Sequence, residues 1–286
     1  MKRLIFDRKS YFNMKYYLFL FSVFFFWQCQ KENASTTSDG GENAILIPEI
    51  PEPEPLTLVW ADEFEGSELN MENWSFEIGD GCPNLCGWGN NELQVYTDKN
   101  HRIEEGKLII SAKKEEGYTS TRIISKGKKE FQYGRIEARL KVPTGAGLWP
   151  AFWALGNDID VNSWPDCGEI DIMEYVGRNP DEVLNAIHTR SSYGNTVNKQ
   201  VTSIAGFEDE FHVIKLEWNS AFMDFFVDDQ LLYRYGPQLK TAENWPFNKP
   251  VFLILNLAVG GNLGGTVDSG LSFPREYAID YIRVYQ

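Results

Sequence analysis

Three carboxylic acids stand close together in an apolar stretch of the chain, GEIDIMEYVG at residues 168–177. Glu169, Asp171 and Glu174 are interspersed with isoleucine, methionine and tyrosine, residue types that are typical of a buried strand. Carboxylates that lie close together in a buried place hold their protons at higher pH than isolated ones. Such a group supplies an acid and a base from one residue type, so the stretch predicts acid–base catalysis.

The spacing of the three acids predicts a β-bulge. On a regular strand alternate residues share a face, so Glu169 and Asp171 point to one side and Glu174 points to the other. One inserted residue returns Glu174 to the acidic face, because two residues then oppose one on the neighbouring strand. The two glutamates would flank Asp171, and carboxyl groups that lean together to roughly 5 Å suit retaining glycoside hydrolysis.

Two other interpretations of this stretch are weaker. A solvated acidic face does not suit the apolar residues on either side or the tryptophan-rich surroundings. A calcium loop normally has the pattern Asp-x-Asp-x-Asp-Gly, which this stretch lacks. We therefore favour catalysis.

The rest of the sequence must supply the strands that hold the acids in place. FMDFFVDDQLLYRY at 222–235 predicts a hairpin that turns at Asp228 and Asp229. No stretch has a sustained helical period. Many short strands over about 230 residues predict an all-β fold, an antiparallel β-sandwich of jelly-roll type with a concave substrate cleft. Charged and apolar residues alternate in KLIISAKK (107–114), RIEARLKV (135–142), HVIKLEWN (212–219) and YAIDYIRVY (277–285).

The first 55 residues lie outside the predicted fold. A lysine, an apolar run and then Cys29 predict an export signal over residues 1–29, since the run is shorter than the roughly 20 residues that span a bilayer. Cys29 resembles the lipidation site of bacterial lipoproteins, although the bulky residues before it depart from the usual pattern, and ordinary cleavage nearby is the alternative. Residues 30–55 predict a flexible tether and a Pro/Glu linker, followed by a catalytic domain at 56–286.

Charge and composition restrict the partners. The formal net charge of -14 argues against nucleic acid, because phosphate binding needs a basic face. The sequence has no internal repeat and no second linker, so we expect a single domain that acts as a monomer. Contact with a membrane is expected only through the lipid anchor. The protein would be exported, as an outer-membrane or cell-surface lipoprotein or otherwise as a periplasmic or secreted protein.

Several blocks of the sequence together resemble glycoside hydrolase family 16. The bulged form of the acidic signature is similar to that of its laminarinase, agarase and carrageenase branches, and GWGNNELQVYT is similar to laminarinases. The resemblance implies an endo-acting enzyme on β-1,3-glucan. A mixed-linkage β-glucanase or agarase remains an alternative, as do transglycosylation and a surface glycan-binding lipoprotein without catalysis. The matching blocks are VWADEF (59–64), GWGNNELQVYT (87–97), YGRIEARLKVPTGAGLWPAFWALG (133–156), WPDCGEIDIMEYVG (164–177), LNLAVGGNLGG (255–265) and AIDYIRVYQ (278–286).

The resemblance also implies roles for the acids. Glu169 would be the nucleophile and Glu174 the acid/base, while Asp171 would hydrogen-bond to the nucleophile and set its protonation. Catalysis by these residues needs no cofactor.

Further residues are candidates for contact with sugar, which binds aromatic rings through its C–H faces and side-chain amides and acids through its hydroxyls. Core packing is the alternative for the tryptophans, a turn for the asparagines, a plain strand surface for the arginine and an ordinary hydrogen bond for the histidine. The candidates are Trp88, Trp149, Trp153, Trp164, Asn90, Asn91, Glu92, Arg135, His188 and Asn256.

The remaining expectations concern cysteines and a metal. Cys82 and Cys86 are close enough to form a disulfide outside the cytoplasm, which leaves Cys167 as a buried free thiol. The family resemblance implies a structural calcium ion on the convex side. Its ligands would be Glu63, the carbonyl of Gly106 and Asp280.

Overall fold

The computed structural model describes residues 55–286. The predicted signal, Cys29 and the tether lie outside the described residues. The strands are β1 (Leu58–Asp62), β2 (Ser75–Phe76), β3 (Gln94–Tyr96), β4 (His101–Glu104), β5 (Lys107–Lys114), β6 (Tyr118–Ser120), β7 (Arg122–Ile124), β8 (Glu130–Phe131), β9 (Gly134–Lys141), β10 (Leu148–Gly156), β11 (Glu169–Tyr175), β12 (Glu182–His188), β13 (Lys199–Ser203), β14 (His212–Trp218), β15 (Met223–Val227), β16 (Gln230–Tyr235), β17 (Val251–Val259) and β18 (Arg275–Tyr285).

The strands form two sheets. The ten-stranded sheet has the order β16-β15-β14-β9-β18-β5-β6-β3, with β1 paired to β18 and β4 to β5. The eight-stranded sheet has the order β13-β12-β11-β10-β17-β7-β2, with β8 paired to β17. Pairing is antiparallel except between β3 and β6. Helical structure in residues 55–286 is limited to α1 (Gly261–Gly264) and a short 3₁₀ turn at Cys86–Gly89.

The predicted jelly-roll sandwich is confirmed. Side chains of both sheets meet in one hydrophobic core, to which β9, β14 and β18 contribute from one side and β10, β11 and β17 from the other. The four segments with alternating sequence form β5, β9, β14 and β18. Along β14 buried and half-buried residues alternate without interruption, as expected for a strand with one face on the core.

The predicted hairpin is confirmed as well. β15 and β16 are joined at Asp228 and Asp229, and Asp228 has a φ of 53°, which an aspartate tolerates in a tight turn. No helix within residues 55–286 has the length and apolar character that crossing a membrane requires.

Candidate active site

The acids lie on β11, and the predicted bulge in this strand is confirmed. On the β12 side Asp171 pairs with Ala186 and Glu174 pairs with Leu184, so two residues of β11 oppose Asn185 alone. The Asn185 side chain donates a hydrogen bond of 2.7 Å to the carbonyl of Ile172 inside the bulge. This contact satisfies a backbone group that the interrupted ladder leaves free.

The bulge gathers Glu169, Asp171 and Glu174, which we call the acidic row. Ile170, Ile172, Met173 and Tyr175 of the same strand join the core, so the acids occupy the opposite face. Asp171 and Glu174 are 3% and 8% exposed, which means that their charges are largely withdrawn from water.

Burial dominates the protonation of the row. Burial and then the charge of Asp171 raise the pKa of Glu169 to about 8. Burial also raises the pKa of Asp171. The pKa of Glu174 is raised well above its ordinary value by burial, and then by the charges of Asp171 and Glu169. These shifts favour the protonated form of Glu174, the form that a general acid needs.

Side chains from three neighbouring segments contact the row. The indole N–H of Trp149 on β10 donates a 2.9 Å hydrogen bond to Oε1 of Glu174. Nε2 of His188 lies 3.1 Å from Oδ2 of Asp171 and 3.7 Å from Oε1 of Glu169. The Trp164 ring is 6.1 Å from the His188 ring, and a hydrogen bond from Trp164 opposes the rise in the pKa of Glu169. The structure thus brings Trp149, Trp164 and His188 to the acids.

A second polar cluster joins β10 and β17 of this sheet to β3 and the residues just before it. Nε1 of Trp153 donates to Oδ1 of Asn256 at 2.7 Å, and Nδ2 of Asn256 donates to the Tyr96 hydroxyl at 3.0 Å. That hydroxyl and the Gln94 amide both donate to Oε2 of Glu92, at 3.1 and 2.6 Å. Each donor in this series of hydrogen bonds has an acceptor, so one network fixes the positions of Trp153, Asn256 and Glu92.

Asn90 and Asn91 border this network rather than enter its centre. Nδ2 of Asn90 donates to Glu92 at 3.4 Å, and Nδ2 of Asn91 donates to Asn262 at 2.8 Å. Asn91 has a φ of 56°, so the turn that the sequence offered as an alternative is part of its role.

Arg122 is the main site residue that sequence reasoning missed. Its guanidinium carbon lies 4.5 Å from the Trp88 ring and 4.8 Å from the Trp153 ring, and its Nε is 2.5 Å from Glu77. Its charge also counteracts the rise in the pKa of Glu169. Arg122 is followed by two isoleucines in β7. The acidic row shows the same combination of a charged residue with apolar neighbours, so the sequence contained this signal.

The prediction that Arg135 contacts sugar beside the acids is wrong. Arg135 lies on β9 in the ten-stranded sheet, where its guanidinium stacks 4.1 Å from the Tyr285 ring and lies 3.3 Å from Glu137. The matching sequence block continues from this strand into β10, and only the second strand belongs to the sheet that carries the row.

Two of the residues expected to bind calcium contact arginines in this structure, and the calcium site stays a prediction. The Glu63 carboxylate accepts two hydrogen bonds from Arg283, at 2.7 and 2.9 Å, and Asp280 accepts one from Arg139 at 2.7 Å. Calcium needs six or more oxygen ligands, and these two side chains already serve guanidinium groups.

The cysteine predictions are confirmed. Cys82 and Cys86 form a disulfide next to the turn that carries Trp88, and Cys167 is free and buried. Burial raises the pKa of the Cys167 thiol to about 12, so it stays protonated and unreactive.

Comparisons with known proteins agree with this geometry. Residues 88–283 match the family described as Glycosyl hydrolases family 16. A beta-glucanase of Rhodothermus marinus is 42% identical, over 80% of this chain and 85% of that protein. The laminarinase of Flavobacterium sp. UMI-01 has 55% identity and a TM-score of 0.79, covering 80% of this chain and all of that one. The endo-beta-1,3-glucanase of Pyrococcus furiosus has 41% identity and a TM-score of 0.78, covering 81% and 94%.

Proposed function

Because the chain belongs to glycosyl hydrolase family 16, we propose that it cleaves β-1,3-glucan internally and with retention at the anomeric carbon. The observation that carries this proposal is the bulge in β11, which places Glu169 and Glu174 on one face with Asp171 between them. Two carboxyl groups on one face can act as nucleophile and acid/base, the pair that a double displacement uses.

In the first step Glu174 gives its proton to the glycosidic oxygen while the Glu169 carboxylate attacks the anomeric carbon. The bond to the leaving sugar breaks and a covalent glycosyl-enzyme forms. The Trp149 N–H holds the Glu174 carboxyl in place through its bond to Oε1. In the second step Glu174 takes a proton from water, and the resulting nucleophile displaces Glu169 from the sugar.

Asp171 and His188 control where the protons of the row reside. Attack requires Glu169 to be ionised, and burial together with the charge of Asp171 opposes this. His188 lies between Asp171 and Glu169, so a protonated imidazole favours the ionised nucleophile. When Glu174 releases its proton, Asp171 repels the new charge and favours the return of a proton from water.

Aromatic rings beside the row suit the flat faces of glucose units. Trp164 is 41% exposed next to His188, and its ring meets Tyr193 edge to face at 5.4 Å. Trp88 on the 3₁₀ turn and Trp153 on β10 both contact Arg122, whose charged group can also bind hydroxyls. These rings support a cleft that binds several sugars in line, as internal cleavage requires.

The test is product analysis of the purified residues 56–286 on laminarin, lichenan, agarose and carrageenan. We expect a ladder of short oligosaccharides from laminarin, with the β-anomer released first in an NMR time course. Activity confined to lichenan or agarose would contradict β-1,3-glucan as the substrate. Release of the α-anomer first would contradict the double displacement. Products longer than the substrate would show that the enzyme transfers sugars to other sugars instead of to water.

We also propose that the protein is exported and held at the outer surface by a lipid on Cys29. The apolar run before this cysteine supports the proposal. A Cys29→Ala variant should lose cell-surface activity while the secreted enzyme keeps its turnover. Unchanged localisation of that variant would contradict the anchor.

A further inference from the structure

Three side-chain atoms at the row converge in the manner of metal ligands. One ligand atom each of Glu169, Asp171 and His188 lies within 4.8 Å of the other two. Among residues 55–286 this is the one group of three or more acidic, cysteine or histidine side chains with that convergence. Glu174 is outside the group and is turned towards Trp149.

The separations suit a small transition-metal ion. Zinc bonds to nitrogen and carboxylate oxygen are about 2.0–2.2 Å long, so neighbouring ligands of a tetrahedral ion are roughly 3.3–3.5 Å apart. The distances from His188 Nε2 are 3.1 Å to Asp171 and 3.7 Å to Glu169, which bracket this value. The third separation, between the ligand atoms of Glu169 and Asp171, is at most 4.8 Å, so these two carboxylates must move towards each other for both to reach one ion.

An independent observation points to a ligand at the same place. Oδ2 of Asp171 is buried and has no hydrogen-bond partner within the described part of the chain, although the residue is only 3% exposed. The geometry of its contact with His188 is not that of a hydrogen bond. A buried carboxylate oxygen without a donor is costly, and a cation satisfies it.

We propose that Glu169, Asp171 and His188 bind Zn²⁺ or a similar transition-metal ion, which inhibits the enzyme reversibly by occupying its nucleophile. The imidazole selects this class of metal over calcium and magnesium, which prefer oxygen alone. The inhibitory part rests on the proposed hydrolytic function, because an ion on the Glu169 carboxylate blocks its attack on sugar. The metal site itself does not depend on that function.

The same contacts indicate weak rather than permanent binding. A metal-bound histidine normally donates its second N–H to a fixed partner, whereas Nδ1 of His188 has none among residues 55–286. The ion would therefore exchange with solution and compete with substrate instead of serving as a resident cofactor.

The experiment uses Glu174→Gln protein, which keeps all three ligands and is expected to cleave sugar only very slowly. Co²⁺ is titrated into it and followed by the visible absorption of a four-coordinate ion, and Zn²⁺ is then added to displace it. His188→Asn in this background should weaken Co²⁺ binding at least roughly tenfold. His212→Asn is the matched control, because His212 pairs with Asp228 on the other sheet.

Two further results decide the inhibitory role. In the active enzyme Zn²⁺ should raise KM for laminarin with little change in kcat, and laminarin oligosaccharides should weaken Co²⁺ binding to the Glu174→Gln protein. Equal Co²⁺ affinity with and without His188 would overturn the metal site. Metal binding without any effect of sugar would overturn the competition, and a protein that binds the metal but no β-1,3-glucan would instead refute the proposed substrate.

Discussion

The two sheets of the sandwich carry their charges in opposite ways. On the ten-stranded sheet Arg102 contacts both Glu104 and Glu276, and Arg283 holds Glu63 by two hydrogen bonds. On the eight-stranded sheet Glu169 and Asp171 share one histidine, and burial raises the pKa of all three acids of the row. Paired charges at a surface stabilise a fold slightly, while crowded, buried charges destabilise it.

This difference between the sheets shows which charged strand residues indicate a functional site. Alternating charged and apolar residues predict a strand in either sheet, so alternation alone does not identify a site. What separates the row from the other strands is the mismatch between its charge and its burial. Natural proteins retain such a mismatch where chemistry requires it.

The largest expected contrast between the sheets is in activity. Glu174→Gln should lower kcat on laminarin by roughly 10²–10⁴-fold, because the general acid and base is lost. Glu169→Gln should be at least as damaging, since no covalent intermediate can form. Steady-state kinetics with reducing-sugar detection measures both.

Glu276→Gln on the ten-stranded sheet is the matched control for activity and should change kcat less than twofold, an estimate based on its place away from the row. Circular dichroism must show that all three variants are folded. Substantial hydrolysis by both purified row variants would remove the catalytic assignment.

The pH dependence of stability should have opposite signs on the two sheets. The raised pKa of Glu169 means that the fold favours its protonated form, so this contribution is complete below the unfolded pKa near 4.5 and is lost as pH rises through about 8. Glu169→Gln removes that loss. The variant should match the wild type near pH 4 and exceed it above pH 8 by roughly 2–4 kcal/mol.

Urea unfolding at a series of pH values measures this difference in the free energy of unfolding. An advantage that is the same at every pH would mean that the substitution acts through packing alone. A variant that is less stable than the wild type at high pH would show that the row is not under electrostatic strain.

Local features of the molecule could be predicted from its sequence, whereas contacts between distant segments could not. The strands and the bulge at Glu174 were predictable, because side-chain alternation is a local property of the backbone. The network from Asn256 to Tyr96 was not, since it joins residues 160 positions apart. The prediction for Arg135 was wrong for the same reason, because a matching sequence block does not show which sheet each of its strands enters.

A smaller effect is expected when only the orientation of the acid is disturbed. Trp149→Phe removes the N–H that bonds to Glu174, and this bond opposes the rise in the pKa of that carboxyl. We expect kcat to fall roughly tenfold, equivalent to about 1.4 kcal/mol, and the alkaline limb of the pH profile to move upward.

Trp218→Phe is the matched control for this substitution. Trp218 is buried in the ten-stranded sheet, and its indole nitrogen has no hydrogen-bond partner in the described range 55–286. This variant should lose stability without moving the pH profile. A shift of the profile in both variants would assign the effect to general loosening of the core.

The smallest effect should come from the paired surface. The ion pair with Arg102 holds the pKa of Glu276 below its ordinary value, so its stabilisation is present above the unfolded pKa and is lost as pH falls through the lower folded value. Glu276→Gln should therefore cost about 0.2–1 kcal/mol at neutral pH, because both groups are partly exposed and screened. The cost should shrink in concentrated salt and at acidic pH, which is the reverse of the trend for Glu169→Gln. If the effects of both substitutions on the free energy of unfolding changed with pH in the same direction, the contrast between the ion pairs of the ten-stranded sheet and the buried acids of the row would be wrong.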